Sequence, residues 1–307
     1  MITPLLHVGH VKTATTFLQE HVFSDSDFGF GLAGDNENRT IMTNNIIIND
    51  ALSTDIEQLR ATFKEYEENK ASLGLVPVWS EETLIGDPTS RRYDRRQNVH
   101  IISNIWQKAK ILITIRNQFP MVLSLYNEYI HSGGTLPLRE FIGTGKEEPS
   151  YSPILRESYL YFDEVVAEFQ RLYGSENVLV LPVEQLRTEP QTYLRRLSEF
   201  AGTPCPTALT KSRSRVSAGA ASLRFNRLLN RFAPFNPRIP FHQSTRKRAV
   251  VRAVNAFDRL MPKLVDRHTR RRQEALVSDR YRDSFASSNQ ALASLTGLDL
   301  ERYGYSV

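Results

Sequence analysis

A parallel α/β sheet with helices on both faces is the fold this sequence predicts, and three observations lead there. Short apolar runs at 4–8, 75–79, 111–115 and 178–183 alternate with stretches of helical periodicity. Strands separated by helices rather than by tight turns pair in parallel. The run Ile111-Leu112-Ile113-Thr114-Ile115 is almost continuously apolar or β-branched, as a strand covered on both faces must be.

Taken in order, Pro4 to Val8 is the first strand and turns at Gly9, and from Ala14 the residues Phe17, Leu18, His21 and Val22 fall on one helical face. Residues 24–50, rich in Asp, Asn, Ser and Gly, read as loop, and a weakly patterned helix follows from Asp55 to Lys70. Leu75 to Trp79 is the second strand. Its Pro77 cannot donate to a ladder, which pushes the strand towards an edge or a bulge. A helix over 98–108 leads into the third strand, and helices over 119–131 and 153–173 follow, the second stopped by Gly174. After the fourth strand a helix opened by Thr188-Glu189-Pro190 stops at Gly202.

Beyond about Lys211 the strand signals fade and arginines crowd the chain. Val250, Val251, Val254, Phe257, Leu260 and Leu264 recur at helical spacing with basic residues between them. The chain therefore divides into an α/β core over 1–210 and a mainly helical basic segment over 211–307, packed on the core within the same domain or as a small appendage. Such a segment covers the core, or it meets a membrane surface or an acidic partner.

With 307 residues, 40% hydrophobic and 24% charged, the chain can bury a sizeable core. The start Met1-Ile2-Thr3-Pro4 has neither the basic region nor the apolar run of a signal peptide. No stretch approaches the roughly 18 apolar residues that span a bilayer. Cys205 is the single cysteine, which excludes intrachain disulfides and multi-cysteine metal sites. A cytoplasmic protein is expected, peripheral to the inner membrane face if the basic segment binds lipid. The net charge of +5 favours anionic ligands.

The segment Gly9-His10-Val11-Lys12-Thr13-Ala14-Thr15-Thr16 has the makings of a phosphate cradle. Gly9 allows a tight turn, N–H groups at the helix start point at an anion, and Lys12 and the hydroxyls add charge and donors. A nucleotide-triphosphate loop needs G-x-x-x-x-G-K-[ST], whereas Lys12 follows Gly9 by three residues with no second glycine. The strand 111–115 ends in Arg116, not in an Asp that could hold Mg²⁺, so metal-free chemistry is expected. Arg116 sits where open α/β sheets bind ligands, and its fork suits a phosphate. Asn117 and Pro120 open the next helix and put Ser124 about one turn inside it.

These residues resemble the sulfotransferases that use 3′-phosphoadenosine-5′-phosphosulfate (PAPS), particularly the bacterial and Golgi-type carbohydrate enzymes. Their first loop, G-x-x-K-T-G/A-T-T followed by an apolar residue, Leu and Gln, is matched by Gly9 through Gln19. Their second motif, a buried strand ending in Arg and then a helix carrying Ser about eight residues on, is matched by Arg116 and Ser124. A third stretch, Phe169 to Gly202, also resembles the family, so that the resemblance covers roughly 4–23 and 98–204, with a looser similarity at Ser288-Asn289 and Arg302-Tyr303-Gly304-Tyr305.

The resemblance implies a P-loop-like sulfotransferase fold in which Gly9, Lys12, Thr13, Ala14, Thr15 and Thr16 hold the 5′-phosphosulfate and Arg116 and Ser124 the 3′-phosphate. It implies PAPS as sulfuryl donor, no metal, a carbohydrate or glycolipid acceptor, and no nucleic-acid partner. Lys12 then offsets charge on the bridging oxygen. The carbohydrate-type enzymes carry a Glu base just after a strand, and Val76 to Trp79 runs into Ser80-Glu81-Glu82. Glu82, on the side of Val76 and Val78, is the first choice and Glu81 the alternative. A loop closing over the 3′-phosphate and adenine corresponds to Lys211-Ser212-Arg213-Ser214. His10 reads as a surface loop residue and an alternative base, His7 as core, and His100 as helical. Gly29 through Gly34 fits G-x-G-x-x-G without the flanking strand and helix of a dinucleotide site, and reads as flexible loop. Two other readings stay open: a nucleotide kinase or NTPase on a related fold, and a non-catalytic basic protein that binds nucleic acid or acidic lipid.

Overall fold

The computed structural model describes residues 2–33, 36–48, 53–205, 219–232, 245–260 and 263–307. Five strands, β1 (Leu5–His7), β2 (Phe30–Leu32), β3 (Val76–Ser80), β4 (Lys110–Ile115) and β5 (Val178–Pro182), form one parallel sheet in the order β2-β3-β1-β4-β5. The chain lays β2 and β3 on one side of β1 and then crosses to lay β4 and β5 on the other. The order therefore reverses between β1 and β4, and crevices of this kind hold ligands at the carboxyl ends of the strands.

Both faces of the sheet are covered because successive residues point to opposite sides. Leu6, Trp79, Ile111 and Ile113 pack with α3 (Ile56–Ser72), α4 (Arg95–Ile105) and α7 (Phe162–Tyr173). Leu5, Val78 and Leu112 pack on the other face with α1 (Thr15–Leu18), its wider continuation to Phe23, and α9 (Pro190–Ala201). Asp55 accepts from Gln58 N at the start of α3, and Pro190 and left-handed Gly202 bound α9 as their residue types predict.

Several expectations change. Within 24–50, read as loop, lie β2 and α2 (Asn36–Thr43); three residues are too few to show a strand's alternation, and the run Phe30-Gly31-Leu32 sits inside the G-x-G-x-x-G match. Pro77 is not on an edge strand, since β3 lies between β2 and β1. Val76 N donates to Gly29 O (2.9 Å) and Val78 O accepts from Ala33 N (2.8 Å) on the β2 side, so Pro77 faces β1. β1 begins opposite Val78, one residue later, and the missing donor falls just short of that ladder. The helix expected over 153–173 begins only at Phe162, after a separate turn at Glu157–Leu160, and α4 spans Arg95–Ile105 rather than 98–108.

After β4 come α5 (Gln118–His131) and α6 (Leu138–Ile142), and after β5 comes α8 (Val183–Thr188). The basic segment contributes α10 (Ala220–Phe232), α11 (Thr245–Leu260), α12 (Lys263–Arg280) and α13 (Ala286–Thr296). α10 and α12 pack on α5, α11 on α10, and α13 on α7. Leu223, Val277, Tyr281, Leu292 and Tyr305 share the apolar cluster of Ile111 and Ile113. Among the described residues no helix is long and apolar enough to cross a membrane.

Candidate functional site

The switch point is walled by the loop after β1 and the end of β4. A Cβ at Gly9 would lie 1.9 Å from Thr114 Oγ1 and 2.8 Å from His7 Nε2, so only glycine lets the loop approach β4 this closely. The left-handed turns fall instead at Lys12 (φ 69°) and Ala14 (φ 66°). Side-chain-bearing residues held there cost about 1–3 kcal/mol each and cluster at ligand clamps. Alternating left-handed residues turn backbone N–H groups into anion-binding concavities. The first helical bond is Leu18 N to Ala14 O (3.1 Å), which leaves the N–H groups of Thr15, Thr16 and Phe17 without an intrahelical partner.

A buried chain of hydrogen bonds fixes this loop. Ser80 Oγ meets His7 Nδ1 (2.8 Å), His7 Nε2 meets Thr114 Oγ1 (3.0 Å), and Thr114 Oγ1 meets Thr13 Oγ1 (2.7 Å). Thr13 Oγ1 in turn lies against the His10 carbonyl, and Gln19 Nε2 donates to Ser80 O and Oγ, both at 3.0 Å. Strands β3, β1 and β4 thus set the loop's shape through side chains. His7 is core, as expected, and burial lowers its pKa to about 3.

His10 corrects the sequence reading. It is buried, not a surface loop residue, because the loop turns inward under α7: its ring packs edge-on at 4.6 Å from Phe162 and 5.4 Å from Tyr159. Burial, then the charge of Arg95, lowers its pKa to about 3. It is therefore neutral at physiological pH, and its Nδ1 has no hydrogen-bond partner.

The expected anion contacts divide into two kinds. Thr13 spends its hydroxyl on the loop itself. Thr15 Oγ1 is buried with no partner, Thr16 is exposed, and Ala14 is half-buried. Lys12 Nζ sits 2.7 Å from Glu128 Oε2 on α5. Arg116 Nη1 donates to the Lys12 carbonyl (3.3 Å), and its buried Nε has no partner. Among the described residues no carboxylate forms a salt bridge with Arg116. Burial and the nearby charge of Arg187 lower its pKa, with Glu184 and Tyr305 opposing. A cation desolvated in this way is poised to take an anion.

Arg116 and Ser124 line one wall of a cavity of about 630 Å³, with Phe119 beside them. Leu223 of α10 and Gln273 and Ser278 of α12 form the facing wall. The start of α5 is fixed by the last residues of the chain. Glu184 accepts from Asn117 N (3.1 Å) and from Tyr305 OH (3.2 Å), Asn117 Nδ2 donates to Gly304 O, and Asn289 joins Gln118 (2.7 Å) to Ser306 O (2.7 Å).

The two glutamates after β3 have different surroundings. Glu81 is 2% exposed and fully engaged, by Arg39 Nε of α2 (2.6 Å), Thr83 N (3.1 Å) and Thr83 Oγ1 (2.6 Å). Glu82 Oε2 is buried with no hydrogen-bond partner, and Arg39 Nη2 is 3.8 Å away. Burial, then the neighbouring Glu81, pushes the Glu82 carboxyl above its usual range, against the charges of Arg39 and Lys12. Lys12 is thus close enough to be felt by Glu82.

Sequence reasoning missed Glu128, Arg39, Arg187, Glu184 and the Ser80-His7-Thr114 chain. Glu128 carried a signal, standing four residues from Ser124 on one helical face. Arg39 lay in the stretch read as loop. Lys211 to Ser214 lie outside the described residues. Among the described residues no cluster of three or more His, Cys, Asp or Glu side chains is arranged to hold a metal ion.

No protein-family model matches the chain, and no curated protein matches it in sequence. Solved structures that it resembles include a sulfotransferase from Alicyclobacillus acidocaldarius, at 20% identity and a TM-score of 0.45 over 76% of this chain and 92% of that one. The sulfotransferase domain from the curacin biosynthetic pathway shares 12% identity, with a TM-score of 0.41 over 83% of this chain and 98% of that one. The sulfotransferase domain of the Synechococcus PCC 7002 olefin synthase shares 11%, with a TM-score of 0.38 over 83% and 94%.

Proposed function

We propose that the protein transfers a sulfuryl group from PAPS to the hydroxyl of a saccharide or glycolipid. The observation that carries this reading is a convergence at the switch point. The loop with Lys12, an arginine with a buried and unpaired Nε, and a carboxylate with a buried oxygen that has no hydrogen-bond partner stand close together: Arg116 Nη1 meets the Lys12 carbonyl, and Glu82 feels the charge of Lys12. The unpaired Thr15 hydroxyl and Arg116 Nε fit a ligand with anionic groups at both ends.

In this reading PAPS supplies the sulfuryl group. The amides and hydroxyls of Thr15 and Thr16, with Gly9, Ala14 and the loop shaped by Thr13, hold the 5′-phosphosulfate, and Arg116 and Ser124 hold the 3′-phosphate. Lys12 leaves Glu128 to offset negative charge on the bridging oxygen. Glu82 accepts the proton of the acceptor hydroxyl, and its raised pKa makes it a stronger base than an exposed glutamate while Arg39 and Lys12 favour its ionised form. Glu81 holds Arg39 and the turn that aims Glu82.

A thermal-shift comparison of adenosine 3′,5′-bisphosphate with ATP, each with and without Mg²⁺, tests the reading. Stabilisation by the bisphosphate without Mg²⁺ is expected. Stabilisation only by ATP with Mg²⁺ would assign a kinase or NTPase instead.

A further inference from the structure

The helices of the basic segment also expose charged and apolar side chains to solvent. Helices α10, α11 and α12 carry fourteen Lys and Arg against four Asp and Glu, so with a total of +5 the rest of the chain is net negative. All four acids are already engaged: Asp258 accepts from Gly219 N and Ser222 Oγ, Asp266 from Ala221 N, Glu274 pairs with Arg270 and Asp279 with Arg282. The surplus positive charge stands on one part of the molecule.

The same helices hold six of the eleven large apolar side chains exposed among the described residues: Leu228, Phe232, Val251, Leu260, Leu264 and Val265. Leu260, Phe232 and Leu264 are 83%, 80% and 76% exposed. α11 touches the body through α10, by buried Val254 and a stack of Phe257 on Phe225 at 4.5 Å. Its outer surface is arginine-rich: Arg248, Arg252, Asn255 and Arg259 are exposed and recur at helical spacing, with Val251 beside them. On α12, Leu264, His268 and Arg271 repeat the pattern. Arg224, Leu228 and Arg231 do so on α10.

We infer that this three-helix face docks on an anionic lipid surface, lying in the plane of the headgroups without crossing the bilayer. Charge complementarity selects the occupant: arginines alternate with apolar side chains on three helices, the composition that seats helices at headgroup depth. A protein partner would need one continuous apolar patch, whereas these side chains divide between the Phe232 and Leu260 ends of the antiparallel α10–α11 pair. Nucleic acid would use the arginines and leave Leu260 and Leu264 in water. The inference is independent of the sulfuryl-transfer reading.

The test is co-sedimentation of the full-length protein with vesicles of phosphatidylcholine alone and of phosphatidylcholine with about one third phosphatidylglycerol. Binding to the second and not the first is expected, falling as NaCl rises. Arg248→Glu/Arg252→Glu/Arg259→Glu should weaken it at least about tenfold, and Leu260→Ser/Leu264→Ser should weaken it at every salt concentration. Far-UV circular dichroism and a cooperative thermal melt check that both variants fold, and the salt series on the unaltered protein needs no variant. Equal binding to both vesicles, binding unmoved by either variant, or no vesicle binding with retention on duplex DNA would overturn the inference.

Discussion

Lys12 Nζ and Glu128 Oε2 stand 2.7 Å apart, joining the loop after β1 to the side of α5 that also carries Ser124. The lysine that the proposed reading puts at the reacting end of the donor is therefore paired with a carboxylate. Both side chains are more than a third exposed, so the pair is worth about 0.2–1 kcal/mol. Glu128→Gln removes that competitor and should tighten adenosine 3′,5′-bisphosphate up to about fivefold by calorimetric titration. Weaker binding would mean instead that Glu128 aims Lys12 at the anion.

Lys12→Ala should lower kcat by about 10²–10³-fold or more, since it removes a charge used as the bridging oxygen becomes anionic. Bisphosphate affinity should fall far less, because Arg116 and the loop amides remain. Near-normal turnover would sink the assignment of Lys12.

The paired glutamates should separate function from stability. Glu82→Gln is expected to cut kcat by about 10²–10⁴-fold. Burial raises the Glu82 pKa, so at neutral pH its ionised form costs folding free energy, and the same variant should melt higher. Glu81→Gln should melt lower, by about 1–3 kcal/mol, because it breaks the contacts with Arg39 and Thr83. In the unaltered enzyme kcat should fall as pH drops through a pKa above the ordinary 4.5 of glutamate. A profile flat to pH 4.5 would exclude Glu82 as base.

Acid should destabilise the fold early. His7 and His10 have folded pKa values of about 3 against 6.5 unfolded, so their stabilisation is complete above pH 6.5 and is lost as pH falls from there towards 3. Each contributes a slope of about 1.4 kcal/mol per pH unit in that window. His10→Phe, placed between Tyr159 and Phe162, should roughly halve the slope of a urea-unfolding series between pH 6 and 4.5. An unchanged slope would show that His10 titrates normally.

Gly9→Ala should cost about 1–3 kcal/mol and bisphosphate affinity together, since its Cβ must push Thr114 or the loop aside. Loss of stability alone would separate the loop from the ligand.

Much of this could be read from residues. β4 was legible because a strand buried on both faces is apolar throughout, and the loop because a lysine, hydroxyls and a helix start fall within eight residues. β2 was not, since three residues leave no room for periodicity. Ser80, His7 and Thr114 were invisible as a group because only the sheet order brings three distant strands side by side. His10 was misread for the same reason: Phe162 and Tyr159, which bury it, lie about 150 residues away.

Arg116 stands half-buried beside Arg187, with no carboxylate among the described residues in salt-bridge contact and Glu184 only partly offsetting the repulsion, next to a loop that bends through two unfavourable backbone turns. In the proposed reading the bound anion relieves both costs, so the folded protein gains stability from its ligand. Ligand occupancy adds to stability in proportion to the logarithm of its concentration. If the ligand is the proposed nucleotide donor, the steady-state amount of this protein in a cell should follow the supply of that nucleotide, rising when it is plentiful and falling to proteolysis when it is scarce.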